Sequence, residues 1–406
     1  MSQPAEPIVV VGSGASGVHF TLTLLKKGYH VRMLDVGRVG AAAILPNAGF
    51  DQLKSTLEDP AAFFLGERFE DVVFRRDEDG YNMRWPWMNK ARFTAAPDTS
   101  YSLHGFGQHL QHVFGPLAGY TMRSEGFAPV MSFAAGGLAE GWAAGAFPFN
   151  ETELSAFPFC YADIEPFYER VAKRIGVSGV TDDLAEFTPV HQHLQPPLEL
   201  NEHAAFLLSR YERRRQVIRD RLGCVLGQSR AATLTQDHAG RKACDSLGRC
   251  LIGCPRESIY SPRHTLDECR KFDTFEYLPD RCVSHFCVNE SQQLTSVVAR
   301  STLSGKEESF PVGTLVLAAG TLATGRILLE SIRLQTGRVE KLAGLMDTRM
   351  LLIPFFTPAM LCRPCRTDQY QYHHLSLAIK VPDSSEIVHG QITTMTGTAV
   401  HAAAQS

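Results

Sequence analysis

At 406 residues, with 44% hydrophobic and 20% charged residues, the chain is long enough for two domains and a large buried core, and its texture is that of an ordinary globular protein. Lys plus Arg number 40 against 43 Asp plus Glu, a net charge of −3, so composition offers nothing to nucleic acid or an anionic membrane. The longest apolar run, residues 350–361, is too short to span a bilayer and carries Pro354 and Pro358. The polar residues 1–7 lack a secretory pattern, so the expectation is a cytoplasmic protein whose ten cysteines serve as thiols, ligands or redox groups.

Residues 8–11, Ile-Val-Val-Val, are a short β-branched run suited to a parallel strand buried on both faces. The run enters Gly12-Ser-Gly14-Ala15-Ser16-Gly17, a G-x-G-x-x-G turn, and then a helix expected over residues 15–27, with Gly28 placed to stop it. A second strand is expected over residues 31–34, with Asp35 at its carboxyl end. In this arrangement Gly12 permits the tight turn, Gly14 lets a pyrophosphate approach the backbone, and Gly17 lets helix pack on strand. The first N–H groups of the helix face the phosphates. Asp35, 21 residues after Gly14, stands where an acidic side chain receives a ribose hydroxyl. Strand, turn, helix, strand and acid arrive in order, which predicts dinucleotide binding.

Residues 51–97 show no clean periodicity and read as excursions outside the central sheet, with Trp85 and Trp87 among them. His104, His109 and His112 fall close together but lack acidic or cysteine neighbours, so they read as polar or core histidines rather than metal ligands. Gly136-Gly137-Leu138-Ala139-Glu140-Gly141-Trp142 brings small residues that let backbone approach a flat ligand, with Trp142 shaping a wall. Asp163 reads as the N-cap of a helix carrying Ile164, Phe167, Tyr168 and Val171 as its apolar stripe and ending near Gly176. Residues 207–222 form a strongly basic helix, expected to be solvated.

Cys244, Cys250 and Cys254 have the spacing C-x5-C-x3-C followed by Pro255. Structural thiols are one reading and an iron–sulfur site another, while His264 or Cys269 would be needed to complete a zinc site. Strands are expected over residues 274–278, 282–288, 294–301 and 314–319. The last closes on Ala319-Gly320 before a helix opening near Thr324, a second strand–glycine–helix join. Beyond about residue 341, proline-punctuated extended segments mark a change of texture.

Together these residues resemble the glucose–methanol–choline family of flavoprotein oxidoreductases. The likeness runs from Pro7 to about Ser331. It is carried by the fingerprint with Asp35-Val36-Gly37, by Gly136-Gly137 with Trp142, by Gly253-Cys254-Pro255, and by Leu317-Ala318-Ala319-Gly320. Asp163-Ile-Glu165-Pro166-Phe167-Tyr168, with Gly176-Val-Ser-Gly179, looks like its sugar and polyol dehydrogenase branch.

The resemblance implies an α/β fold, with a Rossmann-type FAD-binding domain over residues 1–340 and part of a substrate domain on an antiparallel sheet over residues 341–406. Residues 51–97 and 180–240 would be excursions of the first domain toward the substrate side. It implies FAD held at Gly12, Gly14, Ala15, Ser16, Gly17, Asp35, Gly136, Gly137, Trp142, Val283, Ala319 and Gly320. Some members carry a three-iron cluster on cysteines in the loop matched by Cys244, Cys250 and Cys254. The implied reaction is oxidation of CH–OH in an alcohol, sugar or polyol, with hydride passing to the flavin and electrons on to an acceptor the residues do not name. Leu138-Ala139 departs from the family's usual hydroxyl residues, and nothing after Ser331 matches its C-terminal histidine motif. His373, His374, His389 and His401 stand outside that context, so no catalytic base is assigned. The alternative is a catalytically incomplete flavin-binding fragment or partner-dependent subunit.

Overall fold

The structure, a computed structural model, describes residues 7–40, 46–58, 73–76, 80–83, 110–115, 117–124, 130–250, 253–346, 351, 353, 355, 357–360, 366–382, 384 and 386–393. Trp85, Trp87, His104, His109 and His401 lie outside the described residues.

The fold is mixed α/β. A parallel sheet is built from β1 (Ile8–Val11) and β2 (Val31–Leu34), joined by α1 (Ala15–Leu25). Two hairpin strands, β3 (Val73–Arg76) and β4 (Gly80–Met83), pair antiparallel, and two short strands, β5 (Val177–Ser178) and β6 (Leu194–Gln195), pair in parallel. After β7 (Cys224–Gln228) the chain returns to the parallel sheet with β8 (Phe275–Leu278). It then makes an antiparallel meander of β9 (Arg281–Val288), β10 (Leu294–Ser301) and β11 (Glu307–Pro311), and re-enters the parallel sheet as β12 (Leu315–Leu317). Last come β13 (Leu375–Lys380) and β14 (Ile387–Ile392), which form a third sheet in the order β14-β13-β7.

In the parallel sheet the order is β12-β1-β2-β8. From β1 the chain proceeds to β2 on one side, while β12 joins on the other, so the crevice outside the carboxyl ends of β1 and β12 is a topological switch point. The period-two alternation of a strand divides β1 between two cores. Val10 packs with Val18, Leu22 and Leu25 of α1 and with Leu266 and Cys269 of the helix Pro262–Cys269. Val9 and Val11 face the other way, onto Val283, Val297, Ala299 and Phe310 of the meander and Ile327 of the helix Thr321–Thr336. This double burial explains why these strands read as unbroken apolar runs.

Several boundaries differ from the sequence expectation. The first helix stops at Leu25, and the one after β12 starts directly on Gly320, at Thr321. The helix Tyr161–Ile175 begins earlier than expected, with Cys160 as N-cap. Asp163 sits one turn in and accepts the Cys160 N–H at 2.9 Å, the reciprocal half of a capping box rather than the cap itself. The basic helix spans Glu202–Leu222, capped by Asn201. It is not wholly solvated, because Arg215 and Arg219 engage Asp183 and Glu186. Among the described residues no helix is long and apolar enough to cross a membrane.

The tightest point of the fold is where α1 leaves β1. A side chain on Gly17 would run into the Gly12 carbonyl oxygen, which is backbone and cannot turn away. Gly17→Ala is therefore expected to destabilise the protein by about 1–3 kcal/mol, read from its guanidinium unfolding midpoint. An unchanged midpoint would show that helix and strand have room to separate.

Candidate functional site

The candidate site lies at the switch point. Gly12, with φ +99°, makes the turn, and a Cβ there would lie 2.6 Å from the Ala318 carbonyl oxygen and 2.9 Å from the Ala319 Cα. This brings the fingerprint turn against the end of β12 and the start of the next helix, whose N-cap Gly320 has φ +82°. Gly14 is different, since a Cβ built on it meets no atom within 4 Å. Open space therefore lies over its Cα, and Ala15 and Ser16 are exposed at the first turn of α1, which has no side-chain cap. Those amides belong to the group that a helix cannot satisfy internally.

Gly137 comes up against Gly14 itself, since a Cβ on it would lie 3.2 Å from the Gly14 Cα. It opens a short 3₁₀ turn, Gly137–Glu140, and the turn is anchored from below. Glu140 is almost completely buried, receives Arg263 Nε at 2.5 Å, and accepts the Ser261 hydroxyl. Burial pushes its carboxyl above the usual range, and the Arg263 guanidinium opposes that shift.

Asp35 follows β2 and is 9% exposed. Its Oδ2 accepts the Ser13 hydroxyl and, at 2.9 Å, the Tyr277 hydroxyl from β8. The Ser13 Oγ in turn accepts the Gly136 N–H at 2.9 Å. Burial raises the Asp35 carboxyl to about 6, against the pull of the Ser13 and Tyr277 hydrogen bonds. Gly12, Gly14, Ala15, Ser16, Gly17, Asp35, Gly136, Gly137, Ala319 and Gly320 thus gather at one place.

Val283 and Trp142 stand further back. Val283 is buried in the core cluster that includes Val9, Val11 and Leu34. The Trp142 indole N–H donates to the Tyr260 carbonyl at 2.8 Å, and its ring packs beside Ala144, Ala172 and Ala231. Ser13, Tyr277 and Glu140 were not anticipated. Ser13 occupies a variable position of the fingerprint, and Tyr277 reaches Asp35 only because β8 pairs beside β2, with Met33 opposite Tyr277.

The iron–sulfur and zinc expectations for Cys244, Cys250 and Cys254 find no support. Among the described residues no group of three or more His, Cys, Asp or Glu is placed to hold a metal ion. Burial pushes the Cys244 and Cys250 thiols up, as in buried structural cysteines. Cys269 is buried in the core beneath α1, and its Sγ points to the Val18 carbonyl.

The late histidines gather around β13. His373 is 3% exposed, its Nε2 has no hydrogen-bond partner among the described residues, and burial with His389 and His374 nearby lowers it to about 4. The His374 Nε2 contacts the Tyr370 carbonyl at 2.9 Å, and the His389 ring packs edge-on against Phe147 at 4.7 Å. A Cβ on Gly145 would lie 3.2 Å from the His373 Nε2, so the segment that begins at the fingerprint reaches this cluster nine residues after Gly136.

No protein-family model matches the chain, and no curated protein matches it. Among solved structures it is similar to a formate oxidase of Aspergillus oryzae RIB40, at 12% identity over 81% of this chain and 48% of that one, with a TM-score of 0.41. It is similar to a pyridoxine 4-oxidase from Mesorbium loti at 12% identity, 80% and 52% coverage and a TM-score of 0.44. An FAD-dependent oxidoreductase from Chaetomium thermophilum gives 12%, 82% and 49%, with a TM-score of 0.43. The chain spans about half the length of these structures. At such scores the case for this chain rests on its own geometry.

The pH dependence of stability follows from the shifts. Asp35 has its folded pKa raised from 3.8 to about 6, so its stabilising effect is complete below about pH 4 and is lost as pH rises through 6. His19, His264 and His373 are each lowered to about 4, so the folded state binds fewer protons than the unfolded and gains stability as pH rises from 4 to 6.5. The two effects oppose each other in one window. Asp35→Asn is expected to steepen the rise in stability between pH 4 and 7, by about 2–3 kcal/mol relative to wild type. Parallel urea titrations of the ligand-free proteins check this, and superimposable pH profiles would refute it.

Proposed function

We propose that this chain binds FAD and is an oxidoreductase of the glucose–methanol–choline type, oxidising a CH–OH group of an alcohol, sugar or polyol to a carbonyl. The observation that carries the reading is the open space over Gly14 at the switch point, next to the close approaches of Gly12 to Ala318 and Ala319 and of Gly137 to Gly14. A pyrophosphate can approach backbone at such a point, where no side chain stands in the way. Gly12, Gly14 and the first-turn amides of α1 would hold the phosphates, Asp35 would stand by the ribose, and Gly136–Gly137 would lie along the flavin. FAD bound there supplies a hydride acceptor for the carbon-bound hydrogen. The chain's own tasks are to bind, to orient and to take up the hydroxyl proton. The reading places the chain in the cytoplasm, where its cysteines, all eight of those described being unbridged, remain thiols.

The same site supports a second reading, a flavin-binding chain that does not turn over alone. The late histidines favour it: His373 is buried and lowered to about 4, and the His374 Nε2 is taken by a carbonyl. An imidazole held near 4 is a weak base at neutral pH.

Two experiments follow. Gly14 has φ −62° and free space above it, so Gly14→Val should keep the wild-type melting temperature yet abolish FAD uptake in a fluorescence titration. A folded wild-type protein that takes up no FAD defeats the proposal. For the second reading, the 406-residue chain loaded with FAD is expected to show little bleaching of the flavin band on anaerobic addition of sugars or simple alcohols. Rapid bleaching establishes turnover, and replacing His373, His374 and His389 one at a time would then locate the base.

A further inference from the structure

Ser13 sits between the first two glycines of the fingerprint and is 1% exposed. Its hydroxyl has one proton to give, and gives it to Asp35 Oδ2. Its oxygen accepts the Gly136 N–H at 2.9 Å. A backbone N–H can only donate, so the direction of the chain is set: Gly136 to Ser13, Ser13 to Asp35. Tyr277 donates to the same Oδ2 from the opposite side, at 2.9 Å. The Arg270 guanidinium lies 4.8 Å from the Tyr277 ring centroid, within cation–π distance. The glycines Gly12 and Gly17 already account for the turn itself, so this hydrogen-bonded chain is not needed to form it. What it does join is the acid after β2 to the segment that presents Gly137 to Gly14.

We propose that Ser13 and Tyr277 are positioning residues of the dinucleotide site. They hold the Asp35 carboxylate turned toward the fingerprint, and through Ser13 that carboxylate fixes the Gly136–Gly137 segment over Gly14. The ribose end and the flavin end of the site are thereby assembled as one unit. The inference rests on the FAD reading above.

Among the described residues the side chains that act on the Asp35 carboxyl are Ser13 and Tyr277. Tyr277 faces it from β8, with Arg270 on the far side of the ring. Arg281, at the start of β9, gives its backbone N–H to the Asp35 carbonyl, while its guanidinium is held by Glu308 and Asp280. With Asp35 already raised to about 6, removing one donor to its ionised form moves it further up.

The test compares wild type, Ser13→Ala and Tyr277→Phe, neither of which adds an atom to the core. Amide hydrogen exchange at Gly136 and Gly137 is read in the ligand-free proteins, and FAD affinity by flavin fluorescence between pH 6 and 8. Ser13→Ala is expected to speed exchange at both glycines and to raise the FAD Kd about tenfold. Tyr277→Phe should leave affinity near wild type at pH 8 and shift the midpoint of its pH dependence upward. Wild-type exchange rates and wild-type FAD affinity in both variants, with FAD bound by the parent, would overturn this inference alone. A parent protein that binds no FAD would overturn it together with the reading it rests on.

Discussion

Three backbone segments meet without side chains between them where β1 ends. The Gly12 turn presses on the carbonyl of Ala318, Gly17 presses on the carbonyl of Gly12, and Gly137 comes up to Gly14. Such approaches require that no Cβ intervene, and packing at near-crystalline density makes each of them a steep constraint. The parallel sheet, the entry angle of α1 and the position of the Gly136–Glu140 segment follow from this junction. The open side of Gly14 belongs to the same junction, since a Cβ there would meet no atom within 4 Å.

Polar groups buried next to the junction are paired in a way that ties distant stretches together. Asp35 receives Ser13 and Tyr277, and Glu140 receives Ser261 and Arg263. Each carboxyl is raised by burial and drawn back down by its partners. A buried acid that loses a partner is costly, so these pairings act as locks on geometry more than as sources of stability. The histidines beside them are treated differently. His19, on α1, contacts Arg174 and the Tyr260 hydroxyl, and burial with the Arg174 charge keeps it neutral, which suits a packing and hydrogen-bonding role.

The antiparallel sheet β14-β13-β7 draws its strands from residues 224–228 and 375–392, far apart in the chain. It gathers His373, His374 and His389 near Gly145 and Phe147. Residues 180–240 and the late segment therefore share a sheet, with the basic helix alongside. Burial decides the chemistry of this cluster, because removing imidazoles from water favours their neutral forms and blunts them as proton acceptors at neutral pH.

The strand–turn–helix–strand unit and the acid that closes it are legible in the residues alone. Those depend on local rules: β-branched residues buried on both faces, glycines where backbone must turn or touch, and side-chain period within one element. The strands β9 and β10 and the join at Gly320 are legible in the same way, being equally local. Tertiary structure alone decided that Tyr277 meets Asp35, because that contact needs β8 to lie beside β2, some 240 residues away in sequence. It decided that Ser13 links Asp35 to Gly136, since a serine in a variable fingerprint position carries no local mark of its partner. It decided the fate of the cysteine loop and the late histidines as well. Spacing can propose a ligand set or a base, but a ligand set needs convergence in space and a base needs its surroundings, and burial leaves the His373 imidazole a weak base.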